Sequence, residues 1–343
     1  MCLALILPLV AHGARLQDNL YGVKTLESER AWVVGNFGSI HRTDDGGKSW
    51  KAQESGTKLP LFSVDFADAV HGWVVGTSGL ILQTNDGGGT WTKTESPVPG
   101  HKHLFKVTTI DARTAWAVGD WGAITVTRDG GHTWENRSLG ILTVAVDKSP
   151  ERSLHLLTDD VILNDVMFVD RQHGFITGEF GTLYSTKDGG ETWRKLPTGT
   201  EKTLFGVHFK DPRHGWLVGI DGIVLRTADG GESWKVQRGL VETGAIGDLS
   251  FVEAMANPGL YAVRVRGQQG VVVGDAGLLL VSVDGGHSWQ PRVLPDRNRL
   301  TWMRDVSLGG GAQGLLVGAG GFTASIDRDT IVLRDGHRIT GAR

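Results

Sequence analysis

Aspartates at one position of a repeated eight-residue box are the first candidates for chemistry in this chain. Each box has a hydroxyl residue, then Asp two positions later, Gly two further on and Trp three beyond that. The six Asp and Trp pairs are Asp45 and Trp50, Asp86 and Trp91, Asp129 and Trp134, Asp188 and Trp193, Asp229 and Trp234, and Asp284 and Trp289. Six near-identical sites cannot share one pocket, and an Asp in a tight turn accepts backbone hydrogen bonds. We therefore expect structural boxes, each with its Trp buried between neighbouring sheets.

A second repeated element lies upstream of each box: an apolar run that ends in Gly, two variable residues and usually another Gly. Two short strands joined by such a turn predict a β-hairpin, and an alternating strand precedes it. The hairpin occurs seven times, with 41 to 59 residues between its first glycines. Each unit is typical of a four-stranded blade, so the predicted fold is all-β, a seven-bladed β-propeller with Asp-box (BNR-like) repeats.

The two ends and the two longest spacings of the repeat leave questions open. Insertions are predicted around residues 140–160 and 241–267, and the seventh unit has neither the Trp nor a complete box. The ring closes either through a strand at residues 15–19 that joins the last blade or through a complete C-terminal blade. In both cases we expect residues 15–343 to form a single propeller domain.

Residues 1–14 differ in kind from the repeats. Residues 3–11 form an apolar run that is too short to span a bilayer, and small residues follow it. This pattern predicts a signal peptide and a periplasmic or secreted protein, although no positive charge precedes the run. A buried first strand is the alternative. Cys2, the only cysteine, lies in this segment, so a mature chain would contain no disulfide.

Composition and motifs exclude several classes of function. A net charge of −3 and a pI of about 6.5 give no basic surface for nucleic acid, and no apolar stretch is long enough to span a membrane. His71, His173 and His214 recur at one repeat position, which favours a role in a turn, and His101 with His103 lacks a third metal ligand. No phosphate-binding loop or nucleophile elbow occurs. We expect no catalytic residue, metal or cofactor, and a monomer.

The remaining candidates are surface residues at the Gly-flanked turns, which a propeller places on the face opposite the boxes. Trp121 is notable because the repeat does not explain it, and exposed aromatic residues often anchor interfaces. The alternative is that Trp121 folds over its own hairpin. The carboxylates beside it would favour a basic client. The predicted partner-binding residues are Phe37, Asp120, Trp121, Glu179, Phe180, Asp221 and Asp275.

Arginines near the C-terminus form a second candidate surface. No Lys occurs after residue 235, whereas Arg is frequent, and Arg264 and Arg266 alternate onto one strand face. Scattered solvated arginines are the alternative. The possible patch comprises Arg264, Arg266, Arg297, Arg299 and Arg304.

Residues 61–91 and 204–234 carry nearly the whole repeat, with a His-Gly-Trp approach and a doubled Gly in the box. This pattern resembles the photosystem II assembly and stability factor family of chloroplasts and cyanobacteria, which has relatives in non-photosynthetic bacteria. The resemblance implies a non-catalytic scaffold that binds a membrane protein or complex subunit through an arginine-rich surface. It also implies a lumenal location if the host is phototrophic.

Two other functions stay open from the sequence. One is an accessory protein of an envelope transporter in a non-phototroph, and the other is a carbohydrate-active or carbohydrate-binding Asp-box propeller. A sialidase needs an arginine triad and a Tyr nucleophile paired with Glu. No Arg-Ile-Pro-like motif precedes Thr43, and two of the three tyrosines lie in repeat strands.

Overall fold

The computed structural model describes residues 16–27, 29–138, 161–239, 257–294, 301–310, 313–328, 330–333 and 338–339. The predicted signal peptide and the whole of the first predicted insertion lie outside these residues. The second predicted insertion is described from residue 257 onward, where most of it forms a strand. No helix in the described part of the chain is long and apolar enough to cross a membrane.

Seven antiparallel sheets follow one another along the chain, and we number them as blades 1 to 7. Blades 1 to 3 comprise β1 (Leu20–Leu26), β2 (Arg30–Gly35), β3 (Ile40–Thr43), β4 (Lys51–Gln53), β5 (Leu61–Phe66), β6 (Gly72–Gly76), β7 (Leu80–Thr84), β8 (Thr92–Glu95), β9 (Leu104–Thr109), β10 (Ala115–Gly119), β11 (Ile124–Thr127) and β12 (Glu135–Asn136). Blades 4 and 5 comprise β13 (Leu163–Phe168), β14 (Gly174–Gly178), β15 (Leu183–Thr186), β16 (Arg194–Lys195), β17 (Leu204–Phe209), β18 (Gly215–Gly219), β19 (Val224–Thr227) and β20 (Lys235–Arg238). Blades 6 and 7 comprise β21 (Leu260–Arg266), β22 (Gln269–Gly274), β23 (Leu278–Ser282), β24 (Gln290–Val293), β25 (Met303–Leu308), β26 (Gln313–Gly318), β27 (Thr323–Asp327), β28 (Thr330–Leu333) and β29 (Arg338–Ile339).

The first strand of each blade contacts the first strand of the next, so seven inner strands surround a central channel. The ring closes where β1 packs against β25 and β26. Blade 7 is built from consecutive C-terminal strands, which answers the question that the sequence left open. Residues 16–19, the described part of the chain before β1, add no strand; instead, the Asp18 carbonyl accepts a 2.7 Å hydrogen bond from the Gly321 amide in the last blade. The predicted seven-bladed propeller is confirmed.

Side chains of the inner strands cap the free edge of the next blade. An unpaired backbone N–H on an inner strand would be costly to bury, because no further strand pairs with that edge. Asp165 Oδ2 accepts a hydrogen bond from the Val207 amide at 3.0 Å, and Ser307 Oγ accepts one from the Thr25 amide at 2.9 Å. The second of these bonds joins the last blade to the first. Neighbouring blades are therefore connected by polar contacts at the channel and by apolar cores farther out.

The cores lie between blades, as the repeat predicts. Trp116 of blade 3 and the box residue Trp193 of blade 4 meet edge to face at 5.9 Å inside one apolar cluster. Both side chains are almost completely buried. Each sheet has two apolar faces that only its neighbours cover, so stability depends on the closed ring.

The two kinds of connection lie on opposite faces of the ring. Leu20 at the start of β1 pairs with Gly35 at the end of β2, whereas Ala31 pairs with Thr43, which begins the first box. We call the side that carries the Gly-flanked turns between second and third strands the turn face, and the opposite side the box face. Every inner strand begins at the turn face and ends at the box face.

Candidate functional site

Three large aromatic residues are exposed at the turn face. Phe37, Trp121 and Phe180 are 67%, 53% and 68% exposed. Each is the second residue of its turn and has a positive φ, of 56°, 53° and 53°. Non-glycine residues adopt this left-handed region at a cost, and bulky aromatic residues do so rarely. The second residue of this turn has a positive φ in all seven blades, so the geometry belongs to the repeat. What distinguishes these three positions is a large aromatic side chain that is more than half exposed, a feature of interaction surfaces.

The predicted carboxylates at the turn face are engaged in hydrogen bonds within the protein. Asp120 Oδ2 accepts from the His103 amide at 3.1 Å, and Glu179 Oε2 accepts from the Ile162 amide at 3.1 Å. These bonds tie the first residue of a turn to the segment that precedes the inner strand of the same blade. The carboxylates therefore stabilise the turns that carry Trp121 and Phe180.

The other two predicted carboxylates also have partners. Asp275 Oδ2 accepts a 2.8 Å hydrogen bond from the Tyr261 hydroxyl, and Asp221 forms an ion pair with Lys202. Unlike Asp275, Asp221 is the second residue of its turn, with a φ of 58°. The ion pair with Lys202 compensates the negative charge of Asp221.

The predicted arginines are separated along the channel. Arg264 and Arg266 do share one face of β21, but Arg264 lies inside the channel, 3.7 Å from Asp305 Oδ1. Arg266 ends its strand at the box face, whereas Arg304 lies near the start of β25 at the turn face. Arg297 and Arg299 lie outside the described residues. The three described arginines thus do not form one flat surface.

A cavity of about 310 Å³ opens at the turn-face end of the channel, and the sequence analysis did not find it. Trp302 lies on Tyr21 with parallel rings whose centroids are 5.7 Å apart. Phe62 meets Tyr21 edge to face at 5.8 Å. The aromatic wall is completed by Phe105, Phe205 and Tyr261. The sequence did contain a signal for an aromatic cavity: in five of the seven inner strands, the residue after the first Leu is aromatic.

Charged groups form the floor of this cavity. Lys106 Nζ lies 3.3 Å from Asp305 Oδ2, which joins blade 3 to blade 7 across the channel. Asp165 is buried nearby, and burial raises its pKa, although the charges of Lys106 and Arg264 oppose this effect. His208, deeper in the channel, is held neutral because burial lowers its pKa to about 3. Its ring nitrogen Nε2 lies 2.8 Å from the Val265 carbonyl oxygen, a geometry in which Nε2–H donates.

The Asp-boxes have the structure of turn clamps in all six copies. In the first, the Thr43 hydroxyl donates to Asp45 Oδ1 at 2.7 Å, and the Ser49 amide donates to the same oxygen at 2.9 Å. The Gly47 amide donates back to Thr43 Oγ1. These donors favour the ionised carboxylate, and the pKa values of the box aspartates are lowered; those of Asp86 and Asp229 fall to about 2.

The recurrent histidines also lie in turns that an aspartate holds through hydrogen bonds. Asp68 Oδ1 accepts hydrogen bonds from the His71 amide and from the Val70 amide, both at 2.8 Å, and the His71 ring lies against the same carboxylate. The same arrangement recurs at His173 and His214. Within the described ranges, no group of three His, Cys, Asp or Glu residues could hold a metal ion.

Seven blades with six Asp-box clamps and an aromatic turn face define a β-propeller of the Asp-box class. The comparison with known families is more specific. The chain belongs to the family of the photosynthesis system II assembly factor YCF48, whose profile matches residues 56–142, 142–198 and 193–301.

Two curated relatives share short segments with this chain. It is 45% identical over 49 residues to the photosystem II assembly protein Ycf48 of Thermosynechococcus vestitus. It is 37% identical over 62 residues to the photosystem II assembly lipoprotein Ycf48 of Picosynechococcus sp.. The matched segments cover only 14% and 18% of the relatives, and the same shares of this chain.

Solved structures support the fold. The structure described as YCF48 bound to D1 peptide has a TM-score of 0.66 over 91% of this chain and 95% of its own, at 19% identity. The GH74 xyloglucanase of Xanthomonas campestris has a TM-score of 0.68 at 17% identity, with 92% of this chain covered and 53% of the enzyme. The fold thus occurs both in an enzyme and in a protein described with a bound peptide, so activity must be argued from the residues.

Proposed function

We propose that this protein is a non-catalytic binding propeller that assists the assembly or stability of a membrane protein complex, and that it docks its client through the turn face. The observation that carries the proposal is the set of exposed aromatic residues Phe37, Trp121 and Phe180 on the turn face. Aromatic anchors with a rigid backbone lose little entropy on binding. Membership of an assembly-factor family supports the same role.

The state of the turn-face carboxylates supports a function without catalysis. A glycosidase needs one carboxylic acid free to donate a proton and a second carboxylate free to attack or to activate water. Asp120 and Glu179 accept backbone hydrogen bonds, Asp275 accepts one from a tyrosine, and Asp221 is paired with a lysine. These contacts favour the scaffold over the carbohydrate-active alternative.

We propose as client a segment of a photosystem II reaction-centre protein, or of an equivalent membrane protein in a non-phototroph. A structure of similar fold is described as bound to a D1 peptide, which makes a D1-type segment the first probe. The protein would act outside the cytoplasm, in the periplasm or a lumen, consistent with the naming of one relative as a lipoprotein.

Titration of a fluorescent D1 peptide by anisotropy tests the proposal. We expect the Trp121→Ala plus Phe180→Ala variant to bind at least about tenfold more weakly than the wild type, as for the loss of interface anchors. The control is Val236→Ala plus Val283→Ala, which removes exposed apolar side chains from an outer strand and from a box.

A third variant, Arg264→Gln plus Arg266→Gln, tests the arginine surface that the family resemblance implies. Loss of binding only in this variant would contradict turn-face docking. Equal binding by the wild type and all three variants would contradict both surfaces.

A further inference from the structure

The cavity at the channel mouth offers hydrogen-bond donors, because its carboxylates are already occupied. Asp305 Oδ2 accepts a hydrogen bond from the Val23 amide at 3.2 Å and one from Lys106 Nζ at 3.3 Å. Asp165 Oδ2 accepts a hydrogen bond from the Val207 amide at 3.0 Å. A cationic ligand would have to displace these contacts between blades. An anionic ligand would leave them intact.

Arg304 is the donor that lies at the cavity wall without a carboxylate partner. Its guanidinium carbon is 4.4 Å from the ring centroid of Tyr261 and 5.9 Å from that of Phe205. Among the described residues, no Asp or Glu oxygen lies within 4.0 Å of its nitrogens. The aromatic rings hold the planar guanidinium in place, and such a fork suits the two oxygens of a carboxylate.

The rest of the wall is neutral and apolar. Burial and the hydrogen bond to Asp275 raise the pKa of Tyr261 to about 12, so the phenol stays protonated beside Arg304. Another part of the wall is the stacked pair of Tyr21 and Trp302 with Phe62 at its edge. Aromatic walls around a few polar groups are typical of ligand pockets, and 310 Å³ can accommodate one ring-sized group.

We propose that the channel mouth binds an apolar or aromatic group that carries a carboxylate, with the carboxylate on Arg304 and the apolar part against the aromatic wall. A small free acid and the C-terminal residue of a peptide both supply this chemistry. The cavity opens on the turn face, and this shared location is the only connection between the inference and the proposed function. Binding at the cavity does not require the exposed aromatic turns.

Calorimetric titration of the full chain with matched probes tests the site. The probes are 3-phenylpropanoate, its amide, and acetyl-glycyl-phenylalanine with either a free or an amidated C-terminus. We expect both acids to bind at least about tenfold more tightly than their amides, because a charge-assisted hydrogen bond is lost in the amide. Equal affinity of acid and amide, or no binding of any probe, would overturn the proposal.

Substitutions locate the binding group. Arg304→Gln should reduce the affinity for the acids at least about tenfold and leave the amides unchanged. Arg304→Lys, which keeps the charge but loses the fork, should retain part of the affinity and remains informative if Arg304→Gln fails to fold. Arg213→Gln, an exposed arginine on the loop between β17 and β18, is the control and should bind as the wild type does. Unchanged acid binding in folded Arg304→Gln contradicts the site.

The probes also distinguish the source of the carboxylate and separate the two proposals. Tighter binding of the free-acid dipeptide than of 3-phenylpropanoate supports a chain terminus, and the reverse supports a small acid. The Trp121→Ala plus Phe180→Ala variant should bind both acids normally even where it loses the client peptide. Loss of acid binding in that variant would contradict a separate channel-mouth site.

Discussion

The indole N–H of Trp216 in blade 5 donates a 2.9 Å hydrogen bond to the carbonyl of Gly286, inside the Asp-box of blade 6. Trp32 donates a similar hydrogen bond, at 3.2 Å, to the carbonyl of Gly87, the first glycine in the box of blade 2. A box therefore closes its own turn and also provides the surface on which the preceding blade packs. In the boxes of blades 4 and 6 the doubled Gly answers both requirements, since the second Gly, Gly190 or Gly286, has a positive φ and leaves no room for a Cβ beside the Trp ring of the preceding blade.

Gly286→Ala should destabilise the protein more than backbone strain alone would. A Cβ at this position would lie 2.4 Å from Cζ2 of Trp216, and overpacking of this kind costs about 1 to 3 kcal/mol. Gly100→Ala is the matched control, because Gly100 also has a positive φ but has open space around its Cβ position. Urea unfolding of both variants measures the difference. Equal free energies of unfolding would contradict the proposed packing role.

Trp134→Ala should lower the free energy of unfolding by about 3 to 5 kcal/mol, as expected for a large aromatic residue removed from a core. Trp134 is 9% exposed within the cluster between blades 2 and 3. Trp121→Ala should cost less than about 1 kcal/mol, because Trp121 is 53% exposed. Denaturant titration compares them, and a larger loss in Trp121→Ala would reverse the assignment.

Acid should weaken the boxes in a defined range of pH. The Thr90 amide and the hydroxyls of Thr84 and Thr90 lower the pKa of Asp86 to about 2, below its value in the unfolded chain. The stabilisation is therefore complete above about pH 4 and is lost as the pH falls through about 2. Asp86 is exposed, so solvent and salt limit the effect of a single box.

Asp86→Asn tests this dependence on pH. The difference in free energy of unfolding between the wild type and this variant should shrink as the pH falls from about 5 to about 2. Glu54→Gln, an exposed carboxylate outside the boxes, is the comparison. A difference that stays constant over this range would show that Asp86 acts through its shape and not through its charge.

Purified protein should hydrolyse neither xyloglucan nor sialosides nor aryl glycosides. Hydrolysis needs a pair of carboxyl groups free for acid and nucleophile or base roles, whereas Asp120 and Glu179 accept backbone hydrogen bonds within the protein. Release of reducing sugar or of the aryl group is the measurement. Turnover that is abolished by Asp120→Asn or Glu179→Gln would establish an enzyme instead.

The repeat by itself determined the fold, because box spacing, hairpin glycines and alternating strands are local features of the chain. Each blade is made of consecutive residues, so local pattern and global topology agree. The same reasoning assigned the box aspartates and the recurrent histidines to turns. It also identified Phe37, Trp121 and Phe180 as residues that the core does not need. Their exposure was predicted because a propeller places these turns at the surface, on the face opposite the boxes.

The tertiary structure decided what the ring brings together across the channel. Tyr21 and Trp302 are 281 positions apart in the chain, and they stack only because blade 1 closes against blade 7. Likewise, Arg264 and Arg304 lie at different depths of the channel, because Arg304 is near the start of its inner strand and Arg264 is near the end of its own. The turn carboxylates have hydrogen-bond partners that the local pattern does not specify. A repeat encodes the interior of each blade and its packing on the next. Contacts across a closed ring depend on the number of blades and on their curvature, which no single repeat contains.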